Sequence, residues 1–190
     1  MSIELTDGTI LLRAWREDDI DALYEAVRES FAELAPWMPW CHENYRREDS
    51  ATFILSREEA VKNETDYSFA VVEPETQVLL GSMGLNQFTH IHRMANLGYW
   101  VRTSRTGRGV ALRATLLGAR FGFEQLKLER IEIMAAVGNL ASQRVAEKAG
   151  AVREGVLRKR LWVGEQPHDA VMFSLIKEDL GLPEEAHDKE

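Results

Sequence analysis

The run Gly98-Tyr99-Trp100-Val101, followed by Arg105-Thr106-Gly107-Arg108-Gly109-Val110-Ala111, constrains the fold of this chain more than any other segment. It reads as a strand passing through a glycine loop into a helix. The first turn of a helix carries backbone N–H groups without intrahelical partners and the positive end of the helix dipole, and two glycines let an anion come close to both. Such a loop holds a phosphate. Arg102, Arg105, Arg108 and Arg113 surround it with positive charge in a chain whose net charge is −8. About thirty residues on, Asn139 and Ser142 open a second helix that ends at Glu147-Lys148-Ala149-Gly150.

Two familiar phosphate loops fit poorly. A nucleoside-triphosphate loop places a lysine and then serine or threonine after its last glycine, where this chain has Val110-Ala111. A dinucleotide loop wants a third glycine where Leu112 stands, and follows a first parallel strand. Here the preceding segments read as a meander. Tyr67 to Val72, Val78 to Phe88 and Ala95 to Val101 are strand-like, with a Glu73-Pro74-Glu75-Thr76 turn between the first two.

The rest of the chain is patterned as one α/β domain over residues 1–180, with a polar tail at 181–190 expected to be disordered. Asp7-Gly8 turns an opening hairpin, and Ile20, Leu23, Tyr24 and Val27 recur at helical spacing. A second helix is expected over Glu48 to Lys62, with Phe53, Ile54 and Ala60 inward. In the helix after the glycine loop, Leu112, Leu116, Ala119, Phe123 and Leu126 share one face. Gly118 and Gly122 lie four apart, a spacing that allows close packing against the sheet. Arg130 to Val137 alternates as a strand, and Ala151 to Val163 with His168 to Ile176 close the chain as a hairpin.

Composition narrows the function classes. Cys41 is the only cysteine, which excludes an internal disulfide or a multi-cysteine zinc site. His90 and His92 lack a third ligand nearby, so no metal is expected. The acidic balance argues against nucleic acid as a partner, and no apolar run approaches the roughly 18 residues that cross a bilayer. A cytoplasmic protein without membrane partners is expected. Ala35-Pro36-Trp37-Met38-Pro39-Trp40 cannot be helical through two prolines. Trp37 and Trp40 either plug a core edge or form a wall for a substrate.

These residues resemble the GNAT superfamily of N-acetyltransferases, and within it the ribosomal-protein acetyltransferases of the RimJ/RimL type. The resemblance is carried by Leu34 to Trp40, Gly81-Ser82-Met83-Gly84-Leu85-Asn86, Leu97 to Val101, Asn139-Leu140-Ala141-Ser142, Val145 to Gly150 and Asp169 to Leu175, in family order. In the loop, the family frame falls on Thr106, Gly109 and Ala111, and Thr106 stands where a long polar side chain is usual.

The resemblance implies a mixed, mostly antiparallel sheet of six or seven strands with about four helices, acetyl-CoA as co-substrate, and transfer of its acetyl group to a primary amine. It implies cofactor contacts from Trp100, Val101, Arg102, Arg105, Thr106, Gly107, Arg108, Gly109, Val110 and Ala111, with Asn139 on the pantetheine arm. Ser142 would protonate the departing thiolate, backbone N–H groups on the Val78 to Phe88 strand would steady the oxyanion, and Trp37, Trp40 and Asn86 would contact the acceptor. Dimers are common in the subfamily. Read from the residue alone, Asn139 is a helix N-cap.

No base stands out, and Asn96 cannot take a proton at neutral pH. Neutralising an α-amino group at pH 7 costs about 1 kcal/mol, against about 4.6 kcal/mol for a lysine side chain. A site without a strong base therefore suits a protein N-terminus. The alternatives are a small amine, such as an antibiotic, polyamine or aminoacyl nucleotide, and a noncatalytic acyl-CoA sensor.

Overall fold

Alternating side chains build the molecule around one eight-stranded sheet, of order β1-β2-β3-β4-β5-β6-β8-β7. The computed structural model describes residues 3–183. The strands are β1 (Glu4–Thr6), β2 (Leu11–Ala14), β3 (Asp66–Val72), β4 (Leu79–Thr89), β5 (Met94–Val101), β6 (Arg130–Ala136), β7 (Val152–Val163) and β8 (Gln166–Leu175). The helices are α1 (Ile20–Glu29), α2 (Phe31–Leu34), α3 (Arg47–Leu55), α4 (Arg57–Lys62), α5 (Val110–Glu124) and α6 (Leu140–Lys148). The expected architecture stands, with one more strand than the upper count and two short helices added.

Each strand sends alternate residues to opposite cores. Phe69, Val71, Met83, Leu85, Leu97 and Ile131 face one core with Phe121 of α5 and Ala146 of α6. Ala70, Val72 and Leu79 face the other with Leu23, Val27, Leu34 and Ile54 from α1 to α3. Neighbouring strands run antiparallel except β5 and β6, which are parallel and pair only at Met94↔Arg130, Ala95↔Ile131 and Asn96↔Glu132. Beyond Asn96 the two strands part.

One helix reading needs correction. The expected Glu48 to Lys62 helix breaks at Ser56, whose hydroxyl bonds to Phe53 O at 2.8 Å. Hydroxyls that return to nearby carbonyls compete with the helical ladder. Ile54 is buried, whereas Phe53 and Ala60 are only half-buried.

In α5 the face on the sheet is the small one. Val110, Ala114, Gly118 and Gly122 are buried, and the larger Leu112 and Leu116 are half-buried. A Cβ at Gly118 would come within 2.3 Å of Met83 Cε, and one at Gly122 within 2.8 Å of Ile131 Cδ1, so the helix backbone lies directly on β4 and β6. The close packing that the Gly118 and Gly122 spacing allows is thus realised, with Ala119 and Phe123 also buried.

Gly181 closes a short 3₁₀ turn over Lys177–Leu180 at φ 66°, and Leu182 packs against the core, so the first residues of the expected tail belong to the fold. Residues 184–190 of that tail lie outside the described residues.

Gly122→Val places its side chain against Ile131, Leu128 and Leu85 at once. Urea unfolding is expected to show a loss of about 2–3 kcal/mol. Gly155→Ala, where a Cβ meets nothing within 4 Å, should change stability far less.

Candidate active site

Because β5 and β6 are parallel and each leads into a helix, the N-termini of α5 and α6 lie at the same end of the sheet, flanking the gap where the strands part. Arg102 N–H donates to Leu80 O at 2.8 Å, so by the alternation of a strand the N–H groups of Tyr99 and Val101 point the other way, into the gap. Every residue from Gly81 to Asn86 of β4 is in register with β5, and the same stretch pairs with β3. β4, where the resemblance expects oxyanion donors, thus turns no free strand edge to the gap, and the N–H groups that face it are those of β5. Of β4 and β5, only β5 borders the opening.

On the α5 side, Gly107 and Gly109 have φ of 74° and 77°, a left-handed conformation that L side chains rarely adopt. A Cβ at Gly107 would meet nothing within 4 Å, so the loop surface is bare backbone. No side chain caps α5, and its ladder starts with Arg113 N–H to Gly109 O at 3.0 Å. The N–H groups of Val110, Ala111 and Leu112 are left outside that ladder by helix geometry. Arg105 and Arg108 have no ion-pair partner among the described residues. Free amides, a helix N-terminus and two unpaired guanidiniums fit a diphosphate.

Two of the four loop arginines are committed elsewhere. Arg102 Nε bonds Glu29 Oε2 at 2.5 Å, and Glu29 Oε1 accepts Ser104 N–H at 2.9 Å. Thr103 N–H reaches the buried Ser30 Oγ at 3.0 Å. These bonds fasten the loop to the end of α1. Arg113 pairs with Asp7 at 2.6 Å, tying α5 to the opening hairpin. Thr106 Oγ1 turns back to Thr103 O at 2.9 Å, which absorbs the departure from the family frame into the local turn.

On the α6 side, Asn139 Oδ1 accepts Ser142 N–H at 3.0 Å and caps the helix. Gln143 Nε2 braces the same turn against Val137 O at 2.8 Å. Tyr99, on β5, reaches across to it, and its hydroxyl donates to Ser142 O at 2.9 Å while lying 3.1 Å from Ser142 Oγ. Burial pushes the Tyr99 phenol up to about 12, outweighing the lowering by its Ser142 bond. It stays protonated at neutral pH. Either hydroxyl can supply the proton in the second contact. The sequence shows Tyr99 inside Gly98-Tyr99-Trp100, but its partnership needs the parallel register to become visible.

The proline-rich loop spans the gap from the opposite face. The Trp40 ring, 40% exposed, lies 6.0 Å from that of Trp100 on β5. A Cβ on Gly138, in the turn after β6, would lie 3.2 Å from Trp37 Cη2. The two tryptophans thus stand on the two strands that separate. Below them, register places Asp66, Asn86, Asn96 and Glu132 in one row across β3 to β6. Asn96 Nδ2 donates to Asn86 Oδ1 at 3.0 Å, and Arg130 Nε donates to Glu132 Oε1 at 3.1 Å. Asn86 is thereby within the row beneath the opening. Trp100 and Val101 end β5 beside it.

His90 and His92 lie on a 3₁₀ turn beyond β4, with His90 stacked on Phe88. Among the described residues, no group of three His, Cys, Asp or Glu side chains is placed to hold a metal ion, and no helix is long and apolar enough to cross a membrane.

Residues 9–152 match the Acetyltransferase (GNAT) domain family. The chain belongs to the GNAT acetyltransferases. It is similar to YdaF of Bacillus subtilis (strain 168), which carries the name of a ribosomal N-acetyltransferase, with 37% identity over 101 residues. That match covers 53% of this chain and 55% of YdaF, so the chain spans about half the length of this relative. A Vibrio cholerae structure described as a ribosomal-protein-serine acetyltransferase superposes with a TM-score of 0.78 at 28% identity, covering 92% of this chain and 97% of that one. RimL, a ribosomal L7/L12 alpha-N-protein acetyltransferase solved with coenzyme A, superposes with a TM-score of 0.83 at 21% identity, covering 93% and 98%, and shares the GNAT fold.

Bonds from Ser104, and then the Arg102 bond and charge, outweigh partial burial and hold the Glu29 carboxyl down at about 2. A depressed carboxylate contributes stability above its unfolded value, lost as pH falls from about 4.5 through about 2. Glu29→Gln should therefore lose less stability than wild type across that window in thermal melts. At neutral pH the same variant should bind coenzyme A several-fold more weakly by calorimetry, because the loop loses its anchor.

Proposed function

We propose that this protein transfers the acetyl group of acetyl-CoA to the α-amine of a protein N-terminus, with a ribosomal protein as the acceptor class. The observation that carries this reading is the pair of helix N-termini facing one gap between parting strands. Gly107 to Ala111 with Arg105 and Arg108 would hold the diphosphate. The open edge of β5 would take an extended, amide-bearing arm as a pairing strand does. The Asn139 side-chain oxygen is spent on its cap, which leaves its amide N–H₂ to reach that arm. Bound acetyl-CoA supplies the thioester whose acyl carbon the amine attacks.

The chain's own groups do the rest. The N–H of Tyr99 or Val101 would donate to the acyl oxygen as it gains charge. Ser142 Oγ would give its proton to the sulfur as the C–S bond breaks and recover one from the proton that the attacking amine releases on becoming an amide, with Asn139 and Tyr99 fixing the turn that presents it. Trp37 and Trp40 would wall the acceptor path, and Asn86 would line its floor in the polar row. Arg102 would act as a brace for the loop, with the diphosphate left to Arg105 and Arg108. We take residues 1–180, with Gly181 and Leu182 packed after them, to work as one domain, and the pairing into homodimers that the resemblance implies is checked by sedimentation.

A small amine is the second reading. The Trp40 and Trp100 rings, tilted by 55°, offer an aromatic corner for a flat acceptor. Thiol release from acetyl-CoA over N-terminal peptides, lysine peptides and small amines decides between them. Faster turnover of N-terminal peptides is the expected result, and turnover of small amines alone would overturn it. Cofactor binding without turnover on any amine would favour the sensor.

Ser142→Ala should lower kcat by about 100-fold and leave coenzyme A affinity within about twofold. Unchanged kcat would remove Ser142 from the proton transfer.

A further inference from the structure

We infer that the bulge of β7 is the docking surface for an acidic stretch of the acceptor, so that the enzyme selects N-termini followed by Asp or Glu. This deepens the acceptor reading above and rests on it.

The bulge is an anomaly in both charge and geometry. Register passes from Leu157↔Ala170 to Leu161↔His168, so Arg158, Lys159 and Arg160 together stand opposite Asp169 alone. Lys159 takes a φ of 52°, which pushes the segment out of the ladder. All three residues are exposed, and none has an ion-pair partner among the described residues. Asp169 does not neutralise them through a side-chain contact, since its Oδ1 accepts the Lys159 backbone N–H at 2.7 Å. Glu154, the one acid within β7, is held by Arg130 and Ser174. Three adjacent unpaired cations thus project from a chain of net charge −8.

Their position relative to the gap decides the occupant. Asp169 O also accepts the N–H of Val137, the residue before Gly138, where Trp37 sits. One residue therefore links the basic bulge to the turn that bounds the acceptor path. Across the sheet, Ala136 at the end of β6 pairs with Ala170, and Ala170 with Leu157. Two strand spacings amount to about 10 Å, which an extended chain covers in about three residues. An acceptor with its amine in the gap would bring its residues from about the third to the sixth beside Arg158 to Arg160.

Val156, Leu157 and Trp162 are also exposed along β7, the last at 64%. Apolar side chains interleaved with acids would suit them. A short acidic peptide needs charges only opposite the three cations, whereas an RNA chain carries one on every nucleotide beyond them onto a surface of net negative charge, which favours the peptide.

The test uses dye-labelled peptides with the same first two residues and Glu, Ala or Lys at positions three to six. Anisotropy is measured against wild type and the Arg158→Glu/Arg160→Glu variant, whose folding is checked by its melting curve. The acidic peptide should bind wild type about tenfold tighter than the alanine peptide, lose that advantage at high salt, and bind the variant more weakly than the lysine peptide does. Equal affinities for the three peptides, or a preference unchanged in the variant, would overturn the inference. So would an RNA oligonucleotide that displaces the acidic peptide at matched charge. Acetylation of the same peptides is followed in parallel: charge-dependent binding without acetylation of any of them would support the surface and defeat the acceptor reading instead.

Discussion

Everything that makes a site here follows from a parallel strand pair that holds for only three residues. Met94 to Asn96 join β5 to Arg130 to Glu132 of β6, and then the strands diverge. A parallel pair needs a crossover, which α5 supplies, and each parallel strand then leads into a helix at the same end. Had the pairing continued, the amides of Tyr99 and Val101 would be spent on β6, and the space between the two helix ends would be filled by sheet. Because it stops, three sets of donors converge on one opening: strand amides, the first turn of α5 and the first turn of α6. The close seat of Gly118 and Gly122 on Met83 and Ile131 fixes how α5 lies across that opening.

Positive charge is distributed with similar economy. Arg102 and Arg113 are tied to Glu29 and Asp7 and hold the loop and the helix start in place. Arg105 and Arg108 remain without such partners and are the pair suited to an anion. A count of arginines near the loop treats the four as equivalent. Only the carboxylates contributed by α1 and the first hairpin separate braces from binders.

The parts legible from sequence are those set by local backbone chemistry. Gly107 and Gly109 announce a bare loop before a helix, and Asn139 announces an N-cap; the two glycines are left-handed in the fold and Asn139 caps the helix by accepting the Ser142 N–H. What depends on distant register was hidden. Tyr99 reads as one more alternating strand residue, and its bond to Ser142 exists only because β5 and β6 lie side by side. The resemblance points to β4 for oxyanion donors, yet β4 is paired on both sides. In α5 the four-residue spacing of Gly118 and Gly122 already points to close packing on the sheet, and the contacts with Met83 and Ile131 bear it out. The row Asp66, Asn86, Asn96 and Glu132 comes from three separate strand registers, none of which is written in any one segment.

The irregularity in β7 has a consequence for solubility as well as for recognition. A long outermost strand with bare apolar side chains such as Val152, Val156 and Trp162 is a template on which another molecule's backbone can add, the first step toward aggregation. Two such strands laid edge to edge would bring the Arg158 to Arg160 protrusions of both copies into each other's path, with steric mismatch and like charge acting together. The same distortion that opens β7 to a short, oppositely charged guest thus guards it against its own kind.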